Sequence, residues 1–412
     1  MKTRITYPIA LVLGFVASFL LGDWTPYQKV LSTLVPVVKL LGVFILFPLV
    51  FILFISAVAS LRRHKDTFVV FFSTILWALL AALFLSFAGM GLFIANPFQI
   101  SLTAASSGNL VTNFFDFSKL FGLFISENAF LQFTLTSATL LPVLTVAFFL
   151  GIALRPDKEA IRPAYVVTNS FGEVMLRLAR ILTVWGALFI LVLSAQWFLN
   201  YTIADFLKVD FWLIIALAAA VVATLLILLP LLYAIFTGFR GGNPYRIFGG
   251  VFPAVLAAGF SNSILYGTIP LIALAQHNVG MRKRAVGISI PLLTIISRAG
   301  SALIATLVTL GFMTSMGGAP SIQVMIFIAL GSALFSLGAS FTPGFELLFI
   351  LFMLFRWTDP SALSIAEGQL LLLFPLLQIV AISLDAVVIA FGAAFSSRLT
   401  ARGDRIVAEQ KM

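Results

Sequence analysis

The stretch Thr294-Ile-Ile-Ser-Arg-Ala-Gly-Ser-Ala-Leu-Ile304 puts a permanently charged guanidinium, Arg298, inside a long apolar run. Ser297 precedes it and a small Ala299-Gly300-Ser301 run follows. A lone charge at the bilayer centre costs about 2.5–3.5 kcal/mol on insertion scales, so such residues face a cavity or a partner. The glycine weakens a helix at the same spot. An apolar segment with a charge and a weak point at mid-length reads as a broken membrane helix.

On either side of that segment lie two further interrupted ones. Residues 259–270, GFSNSILYGTIP, read as helix, polar tip, helix, and 336–346, SLGASFTPGFE, have the same character. Non-helical backbone at membrane depth is tolerated where it is buried in protein or lines a polar cavity. A pair of Gly/Pro-interrupted apolar segments in corresponding positions points to a transporter binding site. The alternative is two proline-kinked spanning helices packed through small residues. Each interrupted segment is followed by one carrying a buried charge, Arg298 after the first and Asp385 after the second, with Glu346 just past the second tip. That arrangement favours hairpins. An ion pair of Arg298 with Asp385 or with Glu346 is expected, and a planar guanidinium beside an unwound segment also suits an anion clamp.

The whole chain agrees with this reading. Its 412 residues are 61% hydrophobic and 10% charged, with a mean hydropathy of +1.13, where a soluble protein carries about 25% charged residues. Apolar runs at 5–22, 34–60, 67–95, 126–154, 165–199 and 211–238 read as the first six spans. The first is a retained span, since SFLLGDW lacks a small-x-small cleavage site. Most of the +10 net charge gathers in clusters: Lys2/Arg4, Arg62-Arg63-His64-Lys65, Arg155/Lys158/Arg162, Arg240/Arg246, Arg282-Lys283-Arg284 and Arg398/Arg402/Arg405. By the positive-inside rule these mark the cytoplasmic ends, both termini included. The charge is thus an orientation signal and nucleic-acid binding is excluded. There is no cysteine, so thiolate chemistry is excluded too. A bacterial or archaeal inner membrane is the expected location, with the lipid bilayer and a small-molecule substrate as partners.

The order and spacing of these segments resemble the glutamate/aspartate transporter family, the dicarboxylate/amino acid:cation symporters. The resemblance rests on LLGVFILFPLVFILFISAVASL (40–61) with Pro48, LLPVLTVAFFLGIAL (140–154), YGTIPLIALAQHNVG (266–280), SIPLLTIISRAGSAL (289–303), SLGASFTPG (336–344) and Leu384-Asp385. It implies an all-α polytopic fold of eight transmembrane helices plus two re-entrant helical hairpins, built from inverted repeats and working as an elevator. The N-terminal half, 1–244, would hold the trimerising scaffold, mainly spans two, four and five, together with spans three and six. Residues 245–412 would form the transport core. A homotrimer is implied. The second hairpin would be the gate, through Gly338, Pro343 and Gly344.

Several functional positions of the family differ here. Its seventh span unwinds at Asn-Met-Asp-Gly-Thr and supplies sodium ligands, where this chain has Ser297, Arg298, Ala299, Gly300 and Ser301. A run of serines at the first tip becomes Ile264, Leu265 and Tyr266. In the eighth span Asp385 remains, while Val388, Gly392 and Ser396 take the places of other charged and polar groups. The usual sodium ligands are therefore mostly absent, leaving Ser297 and Ser396 as residual candidates. Arg298 is expected to supply the missing guanidinium, and Asp385 to contact an amino group. The hydroxyls of Ser263, Thr268, Ser301, Ser340 and Thr342 complete the expected substrate set. If Asp385 neutralises Arg298 instead, the pocket suits a neutral solute. No organic cofactor is expected. The coupling cation would be a proton or sodium, and Asp385 and Glu346 are the proton-carrying candidates, because apolar surroundings favour the protonated carboxyl. An enzyme is disfavoured: no H-E-x-x-H, paired-Asp or G-x-S-x-G pattern occurs. A transporter-fold receptor without turnover and, more weakly, a channel are the remaining alternatives.

Overall fold

The computed structural model describes residues 3–63, 66–100, 140–154, 158–201, 209–318, 320–342, 344–358 and 360–409. Regular structure in them is helical throughout. In chain order the helices are α1 (Thr3–Leu21), α2 (Thr25–Phe44), α3 (Leu46–Arg63), α4 (Thr67–Ala95), α5 (Leu140–Ala153), α6 (Arg162–Asn200) and α7 (Phe211–Thr237). They continue with α8 (Pro244–Ser261), α9 (Ile264–Leu274), α10 (Lys283–Ile296), α11 (Ala299–Gly317), α12 (Ile322–Gly338), α13 (Glu346–Thr358) and α14 (Pro360–Glu409).

The described residues contain seven segments long and apolar enough to cross a membrane, against about 20 residues needed. Of the expected span at 126–154 only 140–154 is described, so that expectation and the outer connection at 96–125 lie largely outside the described residues. The single run expected at 34–60 is divided at Ile45, between α2 and α3. Pro48 explains the division: its ring lacks an N–H and crowds the carbonyl four residues back, that of Phe44. The outward faces of α1 and α6 leave Ile5, Phe19, Leu20, Val174, Val184 and Trp185 exposed. In a bilayer such residues meet acyl chains rather than water.

The segment Lys283–Gly317, which contains α10 and α11, is the least apolar of the seven, with mean hydropathy 1.6, and the most enclosed: 89% of its core window is buried, against 22% for α1. Polar groups are tolerated there because protein, not lipid, surrounds them. α4, α12, α13 and α14 pack on α11, while α3, α4, α9 and α14 pack on α10. A second group forms around α6, which carries α1, α2 and α3, with α5 on α3.

Two helical hairpins flank the central segment. α8 starts on Asn243, whose side chain accepts from the Tyr245 N–H at 2.9 Å, with Pro244 at its first position, both favourable at a helix start. It ends at Asn262, in left-handed backbone with φ +53°, and α9 returns alongside. A Cβ added to Gly267 would lie 3.2 Å from the Ala254 carbonyl oxygen, so the two arms touch backbone to backbone. The second hairpin begins on Ser321, which caps α12 through the Val324 N–H. It turns through a short 3₁₀ segment, Ala339–Phe341, and returns as α13. Gly344 closes the turn at φ +83°, a conformation open chiefly to glycine. The two tips meet, with a Cβ at Gly344 falling 3.9 Å from the Asn262 carbonyl oxygen.

Candidate functional site

The break in the central segment is confined to Ser297 and Arg298, whose backbone is non-helical (φ −109°, ψ 110° and φ −128°, ψ 42°). The resemblance implied unwinding over 297–301, yet Ala299, Gly300 and Ser301 already form the first turn of α11. Each helix end at the break is met by a charge of the favourable sign. Arg298 Nη1 donates to the carbonyl oxygens of Thr294 at 2.8 Å and Ser297 at 2.9 Å, at the C-terminal end of α10. Asp385, from α14, accepts from the Ser301 N–H at 3.1 Å and the Ser301 hydroxyl at 2.5 Å, in the first turn of α11. A cation at a helix C-terminus and a carboxylate at an N-terminus both complement the backbone dipole and satisfy orphan groups. Gly300 makes this possible: a Cβ there would meet Leu384 Cβ at 2.5 Å and the Asp385 nitrogen at 2.7 Å.

Of the two ion pairs open from the sequence, the one within bonding range is Arg298 with Glu346, Nη2 to Oε1 at 3.7 Å, and each side chain is only 2% exposed. Glu346 is the first residue of α13. Its other oxygen accepts from Gln378 Nε2 at 3.0 Å, and the same amide donates to the Gly344 carbonyl at 3.3 Å. On the other flank Thr294 Oγ1 lies 3.3 Å from Thr268 Oγ1 of the first hairpin. A continuous polar chain thus runs from hairpin one (Thr268) through the break (Thr294, Arg298) and hairpin two (Glu346, Gly344) to α14 (Gln378).

Around this chain several buried polar atoms have no hydrogen-bond partner: Ser297 Oγ, Arg298 Nε, Ser340 Oγ, Asn262 Oδ1 and Gln378 Oε1. They belong to the break, the two tips and α14, and the 3₁₀ turn carrying Ser340 packs on α10. Buried groups in native proteins are nearly always paired, so these atoms are available to a polar ligand or to water. The guanidinium makes this specific. Nη1 is used by backbone, Nε has no hydrogen-bond partner, and Nη2 faces Glu346 Oε1 at 3.7 Å. Two parallel donors on one edge match a carboxylate.

The remaining expected residues fall in different places. Ser301 is engaged by Asp385. Thr342 Oγ1 donates to the Ala339 carbonyl at 2.9 Å and stays within its own turn. Ser263 stands in extended backbone at the start of α9, with its carbonyl accepting from Ser261 Oγ at 3.2 Å. Gly338 has an ordinary φ of −91°, so among the expected gate glycines only Gly344 needs to be glycine for its backbone. Pro343 lies outside the described residues. Ser396 is 3.2 Å from Ser73 Oγ and 3.1 Å from Thr74 Oγ1 of α4, in a separate hydroxyl cluster.

Three residues were missed by sequence reasoning. Gln378 lies seven residues before Asp385, two helical turns along one face, and that spacing was the available signal. Asn262 could be suspected from its place in a polar tip. Trp77 carried no local signal: it donates to the Val388 carbonyl at 3.0 Å and its indole lies against Gly392. It fills the space in which a side chain at position 392 would stand.

Long apolar segments, with a polar break enclosed between two helical hairpins, are those of a multi-pass membrane protein. The family model of the sodium:dicarboxylate symporter family matches residues 5–393, and the chain belongs to that family. It is also similar to the serine/threonine transporter SstT of Acinetobacter baylyi, 24% identical over 349 residues that cover 83% of each chain.

Proposed function

We propose that this protein is an elevator-type secondary transporter of a small zwitterionic amino acid, coupled to protons or working without sodium. The observation that carries the reading is the Nε–Nη2 edge of Arg298, where Nε has no hydrogen-bond partner and Nη2 has the long 3.7 Å contact to Glu346. A substrate carboxylate binds that edge, and the substrate ammonium lies towards Asp385. One guanidinium stands against two carboxylates, so a dicarboxylate would lack a second positive partner. A zwitterion brings its own cation. The name of the serine/threonine relative supports the same choice.

The fold would comprise eight spans and two re-entrant hairpins in inverted repeats, with residues 245–412 as the transport core and 1–244 supplying the scaffold and spans three and six. The scaffold, α3 with α5 and α6, would assemble as a homotrimer in an inner membrane with cytoplasmic termini. Within the first 244 residues α4 packs on α11, whereas α1, α2 and α3 pack on α6, which supports that division. Hairpin two is the gate. Its Gly344 carbonyl and Glu346 are both held by Gln378, and Glu346 is also held by Arg298. A proton on Glu346 removes the ion pair and loosens the gate, while substrate carboxylate at Arg298 replaces the lost partner. Ala299 contributes no carboxylate to a sodium site, which supports sodium-independent coupling.

Uptake of labelled serine, threonine and aspartate by proteoliposomes tests the reading. Serine or threonine uptake in choline medium, stimulated by an imposed proton gradient, is expected. Uptake that requires a sodium gradient, or that prefers aspartate, would refute it.

A further inference from the structure

Three of the basic clusters that are far apart in sequence come together at one end of the transport core. Arg246 from the start of α8, Arg282 from the turn before α10, and Arg398 near the end of α14 line one cavity of about 350 Å³, with Asn243, Tyr233 and Ser397. Among the described residues lining it there is no carboxylate. Ordinary orientation signals need only lie near the headgroups, each on its own loop. Here three guanidinium-bearing side chains share one concave space.

The walls of the cavity are built. Arg282 is anchored twice: its backbone N–H donates to Ser397 Oγ at 2.9 Å, and Nη1 donates to the Thr400 carbonyl at 3.2 Å. Both bonds tie the turn before α10 to α14. Tyr233 donates to the Gly241 carbonyl at 3.0 Å, fixing the turn that leads into α8. Gly242 follows at φ +76°, and a Cβ there would lie 2.9 Å from Arg398 Nη2, so backbone and guanidinium close in on one another. Arg246 and Arg398, with Arg282 in the wall, raise the local potential, and guanidinium forks match phosphate oxygens.

We propose that this cavity is a phosphate-binding site, occupied by the headgroup phosphate of an anionic phospholipid or by a soluble phosphate. Basic pockets between membrane helices on the cytoplasmic side take lipid phosphate by this chemistry. Because the site joins α7, α8 and α14, its occupant holds the base of the first hairpin to the last helix.

The test titrates the full-length protein in neutral detergent by isothermal calorimetry with three probes: dihexanoyl-phosphatidylglycerol, dihexanoyl-phosphatidylcholine and inorganic phosphate. Saturable binding of phosphatidylglycerol but not phosphatidylcholine or phosphate identifies a lipid source. Saturable binding of phosphate, displacing phosphatidylglycerol, identifies a soluble one. In either case R246Q and R398Q each weaken binding about fivefold, from about 1 kcal/mol per basic residue, while R177Q, at an exposed position on α6, leaves it unchanged. Should an arginine variant fail to fold, the wild-type comparison of the three probes still decides. Absence of saturable binding by both phosphatidylglycerol and phosphate, or equal binding by phosphatidylcholine, would overturn the proposal. So would affinities indifferent to R246Q and R398Q.

Discussion

Arg298 and Glu346 approach to 3.7 Å with both side chains 2% exposed, linking the break in the central helix to the first residue of the returning arm of hairpin two. The pair is long for an ion pair, and the guanidinium spends its closest contacts on the backbone of α10. Arg298 is thus held by the helix end and only loosely by its carboxylate. In the proposed function this is the charge that takes the substrate carboxylate.

Removing one member of a buried pair strands the other charge, at about 3–5 kcal/mol, whereas replacing both with apolar groups costs far less. R298M and E346L are each expected to lower the unfolding temperature of the detergent-purified protein sharply. The R298M/E346L double variant is expected to recover most of that loss. Additive losses would mean that the two residues act independently.

Gly300 is where α11 and α14 touch. Gly300→Ala is expected to destabilise by about 1–3 kcal/mol, since the new Cβ would collide with Leu384 and the Asp385 backbone. Gly249→Ala is the control. It lies in α8 with nothing within 4 Å of an added Cβ, and there alanine should stabilise by about 0.5–1 kcal/mol. Denaturation midpoints of the two variants should move in opposite directions.

Ser301→Ala deletes the 2.5 Å hydroxyl bond to Asp385 and leaves that carboxylate with the backbone N–H as its remaining partner at the α11 end. A loss of about 1.5–3 kcal/mol is expected for a hydrogen bond to a charged group. Ser301→Thr keeps the hydroxyl and should lose less, as read from thermal unfolding.

The absence of cysteine makes accessibility of the proposed gate directly readable. Thr342→Cys, at the second tip, should react with a water-soluble maleimide more slowly when serine is present. Adding Gln378→Leu, which frees the Gly344 carbonyl and one oxygen of Glu346, should accelerate the reaction severalfold. Equal rates with and without Gln378→Leu would remove the latch from the mechanism.

Much of this was legible in the sequence, for reasons tied to particular residues. An arginine two residues from a glycine in an apolar run announces a break, and the polar tips at Ser261–Ser263 and Thr342–Gly344 punctuate the flanking segments. The central position of the Arg298 segment follows from its low hydropathy, since a polar helix in a membrane protein must be enclosed. The length of the break was not legible, because Asp385 starts α11 from a distance of 84 residues. Nor was the partner of Arg298, since Asp385 and Glu346 are equally plausible until packing orients them. Trp77 could not be anticipated: its effect is to occupy volume next to Gly392, and volume across helices has no trace in a single chain. Pro48 could have warned of the division after Phe44, four residues earlier, whose carbonyl the proline ring crowds.

The most direct test is the equilibrium affinity for serine of wild-type protein and of Arg298→Lys, measured in choline chloride. Lysine keeps the charge but loses the paired donors of the Nε–Nη2 edge. Saturable binding by the wild type without sodium, weakened at least about tenfold in the lysine variant, is the predicted result. Equal affinities in the two proteins, or wild-type binding that appears only with sodium, would contradict the account.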